Sequence, residues 1–193
     1  MGFIANNLPT LDDVSFGTAS GAKSYVYRLD GLTKYFQLSE PINIPLNGSI
    51  ELDLLYDPNT VINNDYILCS ETDTSTSSFF TSRETIGVGG SGIISSYTVD
   101  GISTSNFPYD NTFHTIKYNF DNINGKLKFL GTRFTIQQLS SGVFKDLIVR
   151  DAQGIIINHI PLTNKEQGAT QLPTVGNVSA TIVNYTESGW EEV

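Results

Sequence analysis

The chain has 193 residues and a mass of 21.1 kDa, within the range of one domain and long enough to bury a sizeable core. Its net charge is −9 and its 11 Lys and Arg are scattered without a cluster, which argues against nucleic acid as a partner. No apolar run approaches the roughly 20 residues that a membrane-spanning helix requires, so no membrane insertion is expected.

Residues 1–23, MGFIANNLPTLDDVSFGTASGAK, have few alternating runs and read as an extended N-terminal arm. Two readings stand side by side: a frayed terminus, or an arm that docks Phe3, Ile4, Leu8, Leu11 and Phe16 on a neighbouring subunit. The start lacks a basic n-region and a long apolar core, so it does not read as a secretory signal. Asn6 and Asn7 stand where a myristoylation motif wants Ser or Thr. The expected location is the cytosol of the producing cell, or a larger assembly built there.

From residue 24 onward, strand-like runs alternate with turn residues: 24–31, 34–44, 49–57, 65–71, 78–89, 92–101, 113–121, 126–134, 142–151 and 154–162. Val, Ile, Phe, Tyr and Thr dominate them, as half-buried pleated surfaces prefer. A strand and turn every 8 to 12 or so residues is the mark of a sandwich or barrel, and no segment holds a 3.6-residue period for more than one or two turns. Charged residues make up only 16% of the chain, against roughly 25% in ordinary domains. Ser, Thr, Asn and Gly fill the difference, which suits short strands joined by many turns.

Within this pattern, Asn124-Gly125 between alternating runs predicts a tight hairpin, because both residues tolerate positive φ. GVGGSG at 87–92 reads as a loop and not as a phosphate cradle, since no GK[ST] and no helix follow it. Cys69 is the single cysteine, at a period-two position in YILCS, and is expected to be a buried structural thiol. Asn47, Asn177 and Asn184 fit the glycosylation tripeptide but carry no weight without a secretory signal.

SIELDLLYDP at 49–58 places Glu51 and Asp53 on one face of a strand, their Cα atoms roughly 6.5 Å apart. Carboxyl groups of a glycosidase sit about 5 to 9.5 Å apart, so spacing alone does not decide between catalysis and a wet sheet face. His114 and His159 are the only histidines, with no metal-ligand spacing. No G-x-S-x-G elbow occurs, although the members of a triad need not be close in sequence. DPNTVINND at 57–65 gathers Asp57, Asn59, Asn63, Asn64 and Asp65, hard oxygen donors of the type Ca²⁺ prefers. Asn and Asp are equally favoured in plain turns, so the expectation is no resident cofactor. Asp57, Asn63 and Asp65 are the candidate ligands should Ca²⁺ bind. STSNFPYDNTF at 103–113 offers Phe107, Tyr109, Asp110 and Asn111 as an exposed aromatic and polar set for the apolar faces and hydroxyl edges of a sugar. The alternative is that these aromatics fold back on the sandwich edge.

Three stretches carry a family resemblance. GVFKDLIVRD followed by a strand ending at Pro161-Leu162, the opening YVYRLDGLTKYFQLSEPINIPLNGSIELDL, and the tail with Ala180-Thr181-Ile182 and Trp190-Glu191-Glu192 together resemble the concanavalin-A-like, laminin-G-like jelly roll of bacteriophage virion proteins. The resemblance covers about residues 24–193. It implies an all-β jelly-roll sandwich of two antiparallel sheets, frequently carbohydrate-binding and built into larger assemblies. The same superfamily includes laminarinase-type hydrolases, whose signature is similar at Glu51 and Asp53. The third carboxylate of that signature is missing, because Leu55 and Tyr56 occupy its positions. Asp57 lies one place too far, and those enzymes tend to line their cleft with Trp, whereas Trp190 alone is present, near the end of the chain.

The resulting expectation is a non-enzymatic phage virion structural protein, a head decoration or fibre or a tail appendage. It would be held to other virion proteins by the arm, would self-associate as a homo-oligomer, and would display a lectin-like sandwich to polysaccharide. A free carbohydrate-binding adhesin, a laminarinase-type hydrolase and a decoration protein that binds no sugar are the alternatives.

Overall fold

The computed structural model describes residues 23–56, 66–70, 80–82, 88–89, 96–104, 108, 110–120, 125–132, 139 and 141–193. Among the described residues the chain forms strands and two single-turn 3-10 segments, with no α-helix. The strands are β1 (Tyr25–Asp30), β2 (Tyr35–Ile44), β3 (Gly48–Leu55), β4 (Tyr66–Cys69), β5 (Phe80–Ser82), β6 (Val88–Gly89), β7 (Ser96–Val99) and β8 (Ile102–Ser103). They continue as β9 (His114–Phe120), β10 (Gly125–Leu130), β11 (Ser141–Arg150), β12 (Ile156–Pro161), β13 (Thr170–Gln171), β14 (Ala180–Val183) and β15 (Trp190–Glu192).

Two antiparallel sheets result. One runs β15-β1-β11-β3-β9-β7-β8, with β12 beside the second half of β11, and the other runs β13-β14-β2-β10-β4-β5-β6. The chain crosses between them repeatedly, β1 to β2 to β3 to β4 and again β9 to β10 to β11. This is the all-β, two-sheet sandwich that the strand spacing predicts.

Period-two alternation decides which face each strand buries. Ile50, Leu52 and Leu54 of β3 and Ile116, Tyr118 and Phe120 of β9 point inward, and Phe36, Leu38, Ile42 and Ile44 of β2 meet them from the second sheet. Each such side chain contributes about 1.5 to 3 kcal/mol by leaving water. Cys69 is buried beside Tyr35, Phe129 and Leu139, the structural thiol expected of it.

Two local readings need correction. The 78–89 run is not one strand; it contributes β5 and β6, which pair with each other (Phe80 opposite Gly89). The hairpin predicted at Asn124-Gly125 does not join its neighbours. Asn124 lies outside the described residues, and β9 and β10 enter different sheets, β9 between β3 and β7 and β10 between β2 and β4. The inward stripes of β9 and β10 bury more by facing each other across the core than by pairing edge to edge. A tight hairpin forms instead at Asp100-Gly101, where the 92–101 run ends. Their φ angles of 50° and 78° bring Val99 opposite Ile102, the geometry of a two-residue loop with both residues left-handed.

The C-terminal strand closes the sandwich beside the point where the described chain begins. Val193 N–H donates to Ser24 O at 3.0 Å, and Lys23 Nζ pairs with Glu192 Oε2 at 2.8 Å. Tyr27, fully buried on β1, lies parallel to Tyr185 at 5.6 Å and edge-on to Trp190 at 5.3 Å, and its hydroxyl accepts from Thr186 N–H at 3.0 Å.

Candidate functional site

Glu51 and Asp53 do share the outer face of β3, as alternation predicts, and that face shows what each carboxylate does. Arg150 Nε donates to Glu51 Oε1 at 3.0 Å and Arg150 Nη2 donates to Oε2 at 3.3 Å, while Lys117 Nζ reaches Oε1 at 3.3 Å. Burial opposes ionisation of Glu51, but the hydrogen bonds from Arg150 and Lys117 outweigh it and hold the carboxyl below its ordinary range. Asp53 accepts from the Thr115 hydroxyl at 2.6 Å. The two carboxylates therefore belong to a cross-strand ladder over β11, β3 and β9, with Glu51 ionised and capped on both oxygens. Ionisation alone would suit a nucleophile, but a nucleophile also needs a free oxygen, and here Arg150 and Lys117 occupy both oxygens of Glu51. Tyr56, at one of the two positions where a third carboxylate would stand, is fully buried in the core. Trp190 is buried as well, so it packs the core and lines no cleft.

Of the predicted sugar-contacting set, Phe107 and Tyr109 lie outside the described residues, as do the Ca²⁺ candidates Asp57, Asn63 and Asp65. Asp110 and Asn111 form the turn that enters β9, with Asn111 left-handed at φ 60°. Asp110 Oδ1 accepts from Thr112 N–H at 3.1 Å and from the Thr112 hydroxyl at 2.7 Å, and lies 3.0 Å from His114 Nε2. On its other side His114 Nδ1 is 2.6 Å from Asp100 Oδ2, in the β7–β8 hairpin. The imidazole thus bridges two aspartates and ties the hairpin to the 110–112 turn. Burial disfavours its charge, yet the bonds to Asp100 and Asp110 prevail and raise its pKa. The Thr112 hydroxyl and then His114 hold Asp110 down to about 2. His114 is thereby a clasp, which its sequence position does not betray.

His159 pairs with Asp146 through Nε2 at 3.0 Å and with the Thr174 hydroxyl through Nδ1 at 2.7 Å. Among the described residues no three His, Cys, Asp or Glu side chains gather as a metal site.

Two concave features escape sequence reasoning. An open cleft of about 660 Å³ lies along Lys23, Tyr25, Asn164, Lys165, Glu166 and Glu187. Its aromatic floor is covered, because Lys165 Nζ stands 4.7 Å above the Tyr25 ring. The second, of about 230 Å³, opens at one end of the sandwich between β2 and β12, lined by Glu40, Asn43, Asn158 and Asn177 with Pro41 and Ile42. Its residues come from distant parts of the chain and share no spacing, so only the pattern break at Glu40-Pro41 within a strand signals it.

Comparison with protein-family models, with curated protein sequences and with solved structures finds no match to this chain.

Proposed function

We propose that the chain is a non-enzymatic structural protein of a phage virion, a head decoration or fibre or a tail appendage, whose jelly-roll sandwich displays a polysaccharide-binding loop. The observation that carries this reading is the polarity of the first sheet. Lys23, where residues 1–22 join, is pinned to β15 at one edge, whereas β8 and the Asp110-Asn111 turn, tied through His114 to the β7–β8 hairpin, stand at the other. Six strand spacings separate β15 from β8, roughly 29 Å at about 4.8 Å per strand. Attachment at one edge and recognition at the far edge is the layout an anchored appendage requires. Repeated crossing of the chain between the sheets supports the jelly-roll topology, and the occupation of both Glu51 oxygens together with Leu55 and Tyr56 in place of a third carboxylate supports a binding role over hydrolysis.

The reading is tested by removing residues 1–20 from the full chain in an infected host. Loss of the truncated protein from purified particles, with an unchanged melting temperature, is the expected outcome. Truncated protein that still assembles would sink it. Lys23 and β1 stay in place in that truncation, so the sandwich itself keeps all its described contacts.

A further inference from the structure

His114 sits between two carboxylates, and one proton decides whether it can hold both. A protonated imidazole carries an N–H on each ring nitrogen, whereas a neutral one carries a single N–H and a bare lone pair. Nδ1 faces Asp100 Oδ2 at 2.6 Å and Nε2 faces Asp110 Oδ1 at 3.0 Å. An ionised carboxylate only accepts, so loss of the ring proton sets a lone pair against an anion at one of these two contacts. Both bonds therefore exist in the protonated state alone.

The surroundings choose which contact lets go. Nε2 has a substitute donor in the Thr112 hydroxyl, which lies 2.9 Å from it and 2.7 Å from Asp110 Oδ1. The contact at Nδ1 is the shorter of the two, and Asp100 is fixed by more than the ring. Its Oδ1 accepts from Thr115 N–H at 2.9 Å, and its own N–H donates to Thr115 O at 2.9 Å. Asp110 is held from within its own turn, by Thr112 N–H and the Thr112 hydroxyl. The Asp110 side chain is 52% exposed against 13% for His114, so a released carboxylate moves into water that it already meets. Charged groups on the neighbouring strands are engaged elsewhere. Asp53 of β3 accepts from the Thr115 hydroxyl, Lys117 of β9 pairs with Glu51, and Lys145 of β11 stands 5.5 Å from the Phe113 ring centre.

We propose that His114 is a proton-operated latch on Asp110. The imidazolium binds both aspartates; the neutral ring keeps its proton on Nδ1 for Asp100, accepts from the Thr112 hydroxyl at Nε2 and releases Asp110. Proton loss thus unfastens the 110–112 turn from the β7–β8 hairpin while the hairpin stays bonded to β9 through Asp100 and Thr115. Burial disfavours the charge on the ring, but the bonds to Asp100 and Asp110 prevail and raise its pKa, so the latch opens on the alkaline side of about 6.5. The group it frees is an exposed acceptor whose availability follows pH. The latch stands on these contacts whether or not the chain binds sugar.

The test follows the full, isotope-labelled chain by NMR from about pH 5 to about pH 9, which brackets the ordinary histidine value. Long-range proton–nitrogen correlations of the imidazole report which nitrogen carries the proton, and His159 serves as the internal comparison. Above its midpoint His114 should carry its proton on Nδ1, the minority form of free histidine. The Asp110 carboxyl carbon should shift with the same midpoint, while Thr115 N–H stays protected from exchange. Asp110→Asn should lower the midpoint and leave the neutral proton on Nδ1, whereas Asp100→Asn should move that proton to Nε2. A neutral wild-type ring protonated on Nε2, an Asp110 carboxyl indifferent to the midpoint, or an unchanged midpoint in a folded Asp110→Asn variant would each overturn the proposal. The latch signals without retention on any polysaccharide would uphold the latch and count against the displayed-loop reading; retention with the neutral proton on Nε2 would do the reverse.

Discussion

Glu51 shows how one residue type at one spacing serves two purposes and how its neighbours choose between them. Alternation places Glu51 and Asp53 on one face, and that much is readable from six letters of sequence. The partners that fix the role, Arg150 and Lys117, lie 99 and 66 positions away and meet Glu51 only through the pairing of β11 and β9 with β3. Glu51→Gln should cost about 1 kcal/mol, a fall in melting temperature of about 2 to 4 °C for a chain of this length, with no other consequence. His114 is a second case. Its pKa is raised in the fold, so the stability it adds is complete below about 6.5 and is lost as pH climbs through the raised value. Asp110, held at about 2 by Thr112 and His114, works in the other direction: its contribution is present above the ordinary carboxylate range and lost as pH falls towards 2. Thermal melts across that range should therefore show the clasp strongest in the mildly acidic window. His114→Gln should flatten the alkaline limb; a limb unchanged in that variant would remove the clasp from the account.

At the scale of elements, β15 is the most exacting. Gly189, in the turn that leads into it, lies so close to Tyr27 that a Cβ would sit 2.4 Å from the ring's Cζ. Gly189→Ala should displace a ring that packs on both Tyr185 and Trp190 and destabilise by about 2 to 3 kcal/mol, a drop of about 5 to 10 °C. Trp190, the one tryptophan, reports this directly, since detachment of β15 moves it from the core to water and red-shifts its emission. The strands themselves were legible because β-branched and aromatic alternation is local. Partner choice was not: Asn124-Gly125 and Asp100-Gly101 carry the same turn chemistry, yet only the second closes a described hairpin. The inward stripes of β9 and β10 are both satisfied only when the chain crosses to the opposite sheet.

At the scale of the whole molecule, composition and turn spacing led to the two-sheet sandwich because a chain of alternating strands has few other ways to bury one face of each. The site was less legible. The 103–113 loop could be singled out by its aromatics, but alternation does not show that Asp110 is taken up by its own neighbours Thr112 and His114, nor that His114 reaches on to Asp100 in the β7–β8 hairpin. The cavity beside Asn158 depends on a register slip in β2 and on the 175–179 segment, which lie near opposite ends of the sequence. The central claim is that this sandwich binds polysaccharide and leaves it intact. It is tested most directly by passing wild-type protein and Glu51→Gln in parallel over immobilised bacterial and algal polysaccharides and assaying reducing ends in the flow-through. The account predicts that both are retained on the same matrix and that neither releases reducing ends. Release by the wild type that disappears in Glu51→Gln would restore Glu51 to catalysis and contradict it.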